Sequence, residues 1–552
     1  MATNNNTAVL HRKEWQQMTP APTASIAGAF VINGGSGNQD KALYVASNTA
    51  HYFYSHGQDG FSQIPSGAIA GTFGAGACGA YSPWSITYTA NGGTTTTVTV
   101  AAATHNINGF AEGETIEFIS AGTATGQRRN ITQVRNNAGT GTITLTMDSA
   151  VNTAILNTHT FRLSTGRFFV MGAGTTAAGS WKVFDNGTYA WQANLSTTNL
   201  PASWATDGRA VNTLVMANVM ANGTATSGST TTVVDSAKSW TVDGYKNMYV
   251  LIVDGTGEGQ LAKITSNTAT TLTFAAVTTA IDNTSVYQIQ DSKAYYATGV
   301  ATSGSATTLV NSAKTWTTNQ WTNYQVRIIS GTGVGQIRNI SSNTGTTLTI
   351  PTGATIDATS VYVIEGNEDN IYLAGNNAVT VYKYSISGNT WAVMAPTTAR
   401  GAAPGLGMCF DWVGDTSATA WGDESDIQDG RYIYSMRGGA GALIDRFDIA
   451  GGTAGAGAWA AVTYIGTETF TTGSSAYQSG RYLYMRQNAT NRFFRFDIVG
   501  NVIIGWNTDT YTDGAALLGQ KIWVKNLDAT ATVKWVYSLA NTGTTLRRAM
   551  II

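Results

Sequence analysis

The chain has 552 residues, too many for one hydrophobic core, and its length predicts three or four domain-sized units. Charged residues make up only 11%, against roughly 25% in typical soluble proteins, and the formal net charge is −1. That balance excludes a basic field for phosphate backbones, so nucleic acid is not an expected partner, and it excludes the high-charge, low-hydrophobicity composition of disordered chains. Gly (62), Thr and Ala take the place of charge, while 15 Trp, 24 Tyr and 17 Phe supply bulk. Small, β-branched and aromatic residues together favour strands, so an all-β chain is expected.

Residues 1–9 read as a flexible arm. The opening Met-Ala-Thr-Asn-Asn-Asn-Thr lacks an apolar h-region, so no signal peptide is expected. No apolar run approaches about 18 residues, so no membrane insertion is expected. Residues 10–85 open with His11-Arg-Lys-Glu-Trp15-Gln-Gln-Met18, which reads as an outer strand with no inner strands before it. Lys41–Val45, His51–Tyr54 and Phe61 then mark successive strands. Residues 86–163 are Thr-rich, with Thr94–Val100, Gly122-Thr-Ala-Thr-Gly-Gln127 and Gly141–Thr146. Residues 164–220 return to the aromatic pattern, with Gly166–Gly172, Trp181–Asp185 and Trp191.

Residues 221–290 and 291–365 are one module written twice. Asp235-Ser-Ala-Lys-Ser-Trp240 recurs as Asn311-Ser-Ala-Lys-Thr-Trp316, Gly255-Thr-Gly-Glu-Gly-Gln260 as Gly331-Thr-Gly-Val-Gly-Gln336, and Ser266–Thr273 as Ser342–Thr349. The stretch 86–163 is a divergent third copy. Each copy is a structural unit before it is a catalytic one. Four or five short strands with Gly-Thr-Gly and Asn-Thr turns predict a small barrel or sandwich. Each Ser-Ala-Lys segment predicts a single turn. Residues 366–552 resume the aromatic pattern three times: Asn370–Gly375 to Trp391, Asp429–Ser435 to Trp459, and Ser479–Met485 to Trp506. The chain closes on Lys521–Val524 and Val533–Tyr537, read as inner strands.

The aromatic strand followed by a strand such as Phe494-Arg-Phe-Asp497 and then a Trp strand such as Asn389-Thr-Trp-Ala-Val-Met-Ala-Pro396 resembles the kelch-type β-propeller. The resemblance covers roughly residues 10–85, 164–220 and 366–552. The family's double glycine survives only at Gly438-Gly439. It implies four-stranded blades set radially around a channel. Trp-type strands at Trp15, Phe61, Trp191, Trp391, Trp459 and Trp506 imply about six blades, the last one closed by strands from both ends of the chain. The fold expected is therefore an all-β, kelch-like propeller carrying inserted small β-barrel or sandwich modules.

Candidate chemistry is sparse. The five histidines, His11, His51, His56, His105 and His159, form no His-x-His or His-Glu-x-x-His pairing, so no zinc or copper set is expected. Asp423, Glu424, Asp426 and Asp429 form the densest acidic cluster, the one candidate for calcium. It departs from the EF-hand spacing, and a solvated inter-blade loop is the simpler reading. The Gly-rich turns lack a following Lys-Ser/Thr and a helix, so they read as hairpin turns rather than phosphate loops. Gln127, Gln260 and Gln336 follow these turns, with Arg128, Arg129 and Arg338 close behind, and a structural role is the simpler reading for all six. Trp240, Trp316 and Trp321 read as module core. Cys78 and Cys409 are too far apart for a disulfide framework and read as buried thiols. No catalytic or cofactor-binding residue emerges, and the chain is not expected to be an enzyme.

The tandem modules, with Leu10–Trp15 and Gly71–Trp84, resemble structural proteins of tailed bacteriophages. That resemblance implies a virion component made in the host bacterial cytoplasm, tail- or baseplate-associated. Its expected partners are other virion proteins, further copies of itself in a symmetric particle, and a host-surface glycan or receptor. The alternatives are a capsid decoration or head-fibre protein, and a carbohydrate-active enzyme with a propeller catalytic domain.

Overall fold

The computed structural model describes residues 15–23, 29–33, 41–70, 77–172, 177–200, 209–212, 219–246, 248–290, 295–374, 380–394, 405–410, 432–437, 443–452, 455–463, 475–479, 482–487, 492–498, 501–507, 522–526, 534–539 and 544–551. Within them the regular structure is strand, apart from short 3-10 turns that include Ile107–Gly109 and Gly122–Ala124. Each Ser-Ala-Lys segment forms one hydrogen-bonded turn, closed by Lys238 N to Asp235 O and by Lys314 N to Asn311 O.

Among the described residues six of the eight four-stranded antiparallel sheets form blades; five wind outward in chain order, and the sixth takes its outermost strand from the start of the chain. Their innermost strands are Phe30–Asn33, Cys78–Ser82, Arg209–Asn212, Gly405–Phe410, Ser475–Ser479 and Ile522–Asn526, which begin blades 1 to 6. These pack side by side in that order, and the sixth returns to the first, so the ring closes. The outermost strands are Gly60–Gln63, Ala190–Trp191, Thr390–Met394, Ala458–Val462, Val502–Asn507 and, in blade 6, Gln16–Gln17. Each holds or adjoins one of the six aromatic markers read from the sequence.

Why the second strand of each blade is so apolar follows from the pleat. Successive side chains point to opposite faces, and in a propeller both faces are covered by neighbouring blades. Leu43 enters the core between blades 1 and 2, while Ala42 and Tyr44 enter the one between blades 6 and 1. Phe168 and Phe169 divide in the same way across blade 2. Ile371 and Tyr372 do so across blade 3, and Leu483 and Tyr484 across blade 5. The ring is thus held by six apolar cores, each shared by two consecutive sheets.

The closing blade joins the two ends of the chain. Gln16 pairs with Arg548 and Gln17 with Arg547, and behind Leu546–Ile551 lie Lys534–Leu539 and Ile522–Asn526. The strand Leu546–Ile551 was not among those expected: its two arginines at 547 and 548 interrupt any apolar run. The innermost strands of blades 1 to 5 were also unread, because each is only four to six residues long and none repeats the aromatic pattern of the strand that follows it. The Gly438-Gly439 pair lies outside the described residues.

The three Thr-rich stretches share one topology. Module 1 spans seven strands from Tyr88–Thr89 to Thr160–Leu163, and module 2 seven from Val219–Thr224 to Val286–Gln290. Numbered within the module, both run 1-7-4-5-6-3-2 across the sheet. In module 3, from Ala297–Val300 to Val361–Glu365, the fifth strand is broken between Asn339 and Ser342, and the same order splits into two four-stranded sheets. The sequence suggested four or five strands. The extra ones, such as Gly92–Gly93 and Ser227–Gly228, are two residues long and leave no periodic trace. Module 1 leaves the ring between the first and second strands of blade 2, and modules 2 and 3 leave at the same point of blade 3.

Candidate functional site

The most unusual chemistry in this sparsely charged chain is a cluster of buried ions where the modules meet. Its frame is the fourth strand of each module. The bonds Phe118 N to Gln127 O (3.1 Å), Ile252 N to Gln260 O (2.9 Å) and Ile328 N to Gln336 O (2.9 Å) make those residues equivalent. The positions just before them are Glu117, Leu251 and Arg327. In an ordinary sandwich that position would face solvent. Here all three are buried, because the modules turn this face toward one another.

Glu117 accepts from Arg128 of its own module at 3.1 Å, from Arg162 Nε of the adjacent strand at 2.7 Å, and from Arg327 of module 3 at 3.3 Å. Arg327 also pairs with Glu365 at 3.1 Å. Arg162 reaches Glu368 at 2.6 Å, on the segment that returns from module 3 to blade 3. Three carboxylates therefore meet three guanidiniums. Tyr295, on the segment joining modules 2 and 3, receives Arg128 Nη1 at 3.3 Å, Arg327 Nη2 at 3.0 Å and Gln290 Nε2 at 3.2 Å. Trp84, at the exit from blade 2, lies under Arg162 at 4.2 Å and Arg128 at 5.0 Å. Delocalised guanidinium planes suit such stacking and forked pairing.

The electrostatics follow from the geometry. Burial opposes ionisation of Glu117, yet Arg128, Arg162 and Arg327 hold its carboxyl far below the usual carboxylate range. Burial likewise opposes charge on Arg162 and Arg327, and their carboxylate neighbours outweigh it, raising both. Glu368 is pushed upward by burial even though Arg162 opposes the shift. Buried ion networks of this kind add little net stability over an apolar core but are costly to break. Their carboxylates are committed to guanidiniums, so the arrangement orients strands.

Modules 1 and 3 are also tied to the ring. Tyr88 donates to Asp185 Oδ2 (2.7 Å) and Ile86 N to Asp185 Oδ1 (3.2 Å) in blade 2. The loop before the fourth strand of module 1 settles on the blade 2 turn between its third and fourth strands. A Cβ on Gly109 would strike the carbonyl oxygens of Asn186 and Gly187. Lys41 of blade 1 donates to Asn108 O at 3.2 Å. The corresponding loop of module 3 settles on the same kind of turn in blade 4, where Asn323 Nδ2 donates to Ile449 O (2.6 Å) and Gly455 O (3.2 Å). Lys383 of blade 3 donates to Asn323 Oδ1 at 3.1 Å. The module 3 core, including Trp321 and Tyr324, is continuous with that between blades 3 and 4.

The residues singled out from the sequence fall in separate places. Gln260 makes two hydrogen bonds with the Thr279 backbone, donating Nε2 to O at 3.0 Å and accepting from N at Oε1 at 2.7 Å, and Gln336 Nε2 donates to Gly333 O at 2.9 Å. Gln127 accepts from Asn152 N at 3.2 Å. Arg129 and Arg338, at equivalent positions, brace loop carbonyls at Ala150 and at Ala306 and Ala354. Arg128 differs: it belongs to the ion cluster. Trp321 is buried, and Trp240 and Trp316 pack against their module cores. Cys78 is buried between blades 2 and 3. His51 lies between blades 1 and 2 against Trp191, with Nε2 3.2 Å from Gly67 O, and burial pushes its pKa down to about 4. His56 sits between Tyr54 and Tyr537, His105 beside Tyr88, and His159 Nδ1 accepts from Leu156 N. Among the described residues no three His, Cys, Asp or Glu side chains form a group able to hold a metal. Asp423, Glu424, Asp426 and Asp429, with His11, lie outside the described residues. Among those residues, too, no helix is long and apolar enough to cross a membrane.

No family model matches the sequence, and no curated protein matches it. Solved structures with similar segments include an auxiliary nutrient binding protein from Bacteroides thetaiotaomicron, at 10% identity over 60% of this chain and 97% of that one, TM-score 0.22. Phage phi92 endosialidase aligns at 11% identity over 89% and 65%, TM-score 0.18. A GH74 enzyme from Niastella koreensis aligns at 10% identity over 96% and 84%, TM-score 0.18. Scores this low carry no inference about binding or catalysis.

Proposed function

We propose that this chain is a non-enzymatic structural component of a bacteriophage virion, associated with the tail or baseplate, which mediates assembly contacts and host-surface attachment. The observation that carries the reading is the Glu117–Arg327 cluster. The strongest electrostatic feature among the described residues is used to lock duplicated modules to one another and to a closed ring, as a building block requires. The phage-like module sequences and the low charge support the same reading, since a protein fixed in a particle does not depend on net charge for solubility. Gold-labelled antibody against the protein, imaged on intact virions, tests it. Label at tail tips is expected. Label on heads would favour the decoration or head-fibre reading, and absence from purified virions would overturn both. Release of reducing ends from host-surface polysaccharide by the purified protein would favour a carbohydrate-active enzyme.

A further inference from the structure

Two of the three equivalent module loops grip a propeller turn, and the third is exposed. The alignment is set by backbone bonds: Asp243 N to Asn267 O matches Asn319 N to Asn343 O, and Met248 N to Tyr245 O matches both Tyr324 N to Trp321 O and Glu114 N to Ala111 O. The loop of module 2 therefore runs from Thr241 to Lys246. Asp243 has the same left-handed backbone as Asn319, φ 56° against 60°. In module 3 the residue that follows this loop, Asn323, holds the blade 4 turn, and in module 1 the loop itself holds the blade 2 turn through Gly109. Both docked loops also accept a hydrogen bond from a propeller lysine, Lys41 or Lys383.

In module 2 the same loop faces outward. Thr241, Val242, Asp243 and Lys246 are exposed, and Val242, at 68%, is the most exposed of the large apolar side chains among the described residues. The module is held from its other side. Asn222 bonds to Ser149 (2.8 Å) and Asp148 (3.1 Å) of module 1, Asn130 of module 1 donates to Val219 O, and Leu251 packs with Val363 of module 3. Its own apolar core contains only module 2 residues.

We infer that the Thr241–Lys246 loop docks on a propeller blade of a second copy of this chain, at a turn between third and fourth strands, as its two siblings dock within the chain. The acceptor offers turn carbonyls, to which the loop presents the exposed Lys246 ammonium as donor beside the exposed Val242. The turn of blade 3 fits this description: Ser387, Gly388, Asn389 and Thr390 are exposed. A module loop that meets a blade turn is a heterologous contact, so the copies form a ring or a filament according to whether the rotation closes. A single loop is too small for a tight interface, and the affinity of one contact is expected to be weak, gaining strength through repetition.

The inference goes beyond membership of a virion and is tested independently of it. Sedimentation velocity of the full chain up to about 100 μM should show concentration-dependent self-association. Val242→Asp should weaken that association at least tenfold, while Leu156→Asp, at an exposed apolar position of module 1, should leave it unchanged. Circular dichroism and unfolding midpoints verify that each variant is folded. A chain that stays monomeric throughout, or one whose association is the same in V242D, overturns the inference. Neither result bears on where the protein sits in a virion.

Discussion

Module 3 meets its two siblings through the same strand position by opposite means. Toward module 1 it presents Arg327 to Glu117, and toward module 2 it surrounds Leu251 and Leu261 with Val363 and Ile329. Identical topology thus accepts either an ionic or an apolar solution, and the difference lies in what each excludes. An apolar face accepts any apolar partner of suitable shape. A buried Glu117 accepts only a neighbour that supplies a guanidinium, because an unpaired ion in that environment is far more costly than a poor fit. Duplicated modules that could exchange places gain an address this way.

The largest expected effect comes from removing that address. Glu117→Ala leaves Arg128, Arg162 and Arg327 without their shared carboxylate, and urea unfolding should show a loss of about 3–5 kcal/mol. A loss below 1 kcal/mol would mean that water reaches the cluster. Leu251→Ala on the apolar side should cost about 3 kcal/mol by the same measurement.

Acid separates the ring from the module junction. The pKa of His51 is lowered to about 4, so between about pH 6.5 and 4 the unfolded chain binds a proton that the folded one refuses. Stability therefore falls as pH drops through that window, by roughly 2–3 kcal/mol. His51→Phe should remove this part of the pH dependence. The depressed carboxyl of Glu117 contributes stability above its unfolded value of about 4.3, and that contribution is lost only as pH falls further toward its folded value. Acid titrations of the wild type and the His51→Phe variant, followed by intrinsic fluorescence, should show the two phases apart. The smallest effect is expected for Asn222→Ala, which removes rim bonds between modules 1 and 2 and should cost no more than about 1 kcal/mol.

The ring and the repeats were legible because both leave periodic marks. Alternation buried on both faces gives runs such as Arg167-Phe-Phe-Val-Met171, and duplication gives near-identical strings. The ion cluster was not read, although a mark existed. In a chain with 11% charge, Thr115-Ile-Glu-Phe-Ile119 and Gln325-Val-Arg-Ile-Ile329 each place an ion in the middle of an apolar strand. What the sequence does not carry is that these two strands, some two hundred residues apart, turn the same face toward one another. That depends on both insertions leaving the ring at the same end of adjacent blades.

The blade that unites the chain ends also sets the order of events during synthesis. Gln16 and Gln17 are synthesised more than five hundred residues before the strand they bind, Leu546–Ile551. Until then blade 6 lacks its strands and blades 1 and 5 each leave one apolar face uncovered. Pairing across so long a separation is slow in general, and apolar faces left open until it forms are the ones prone to aggregate.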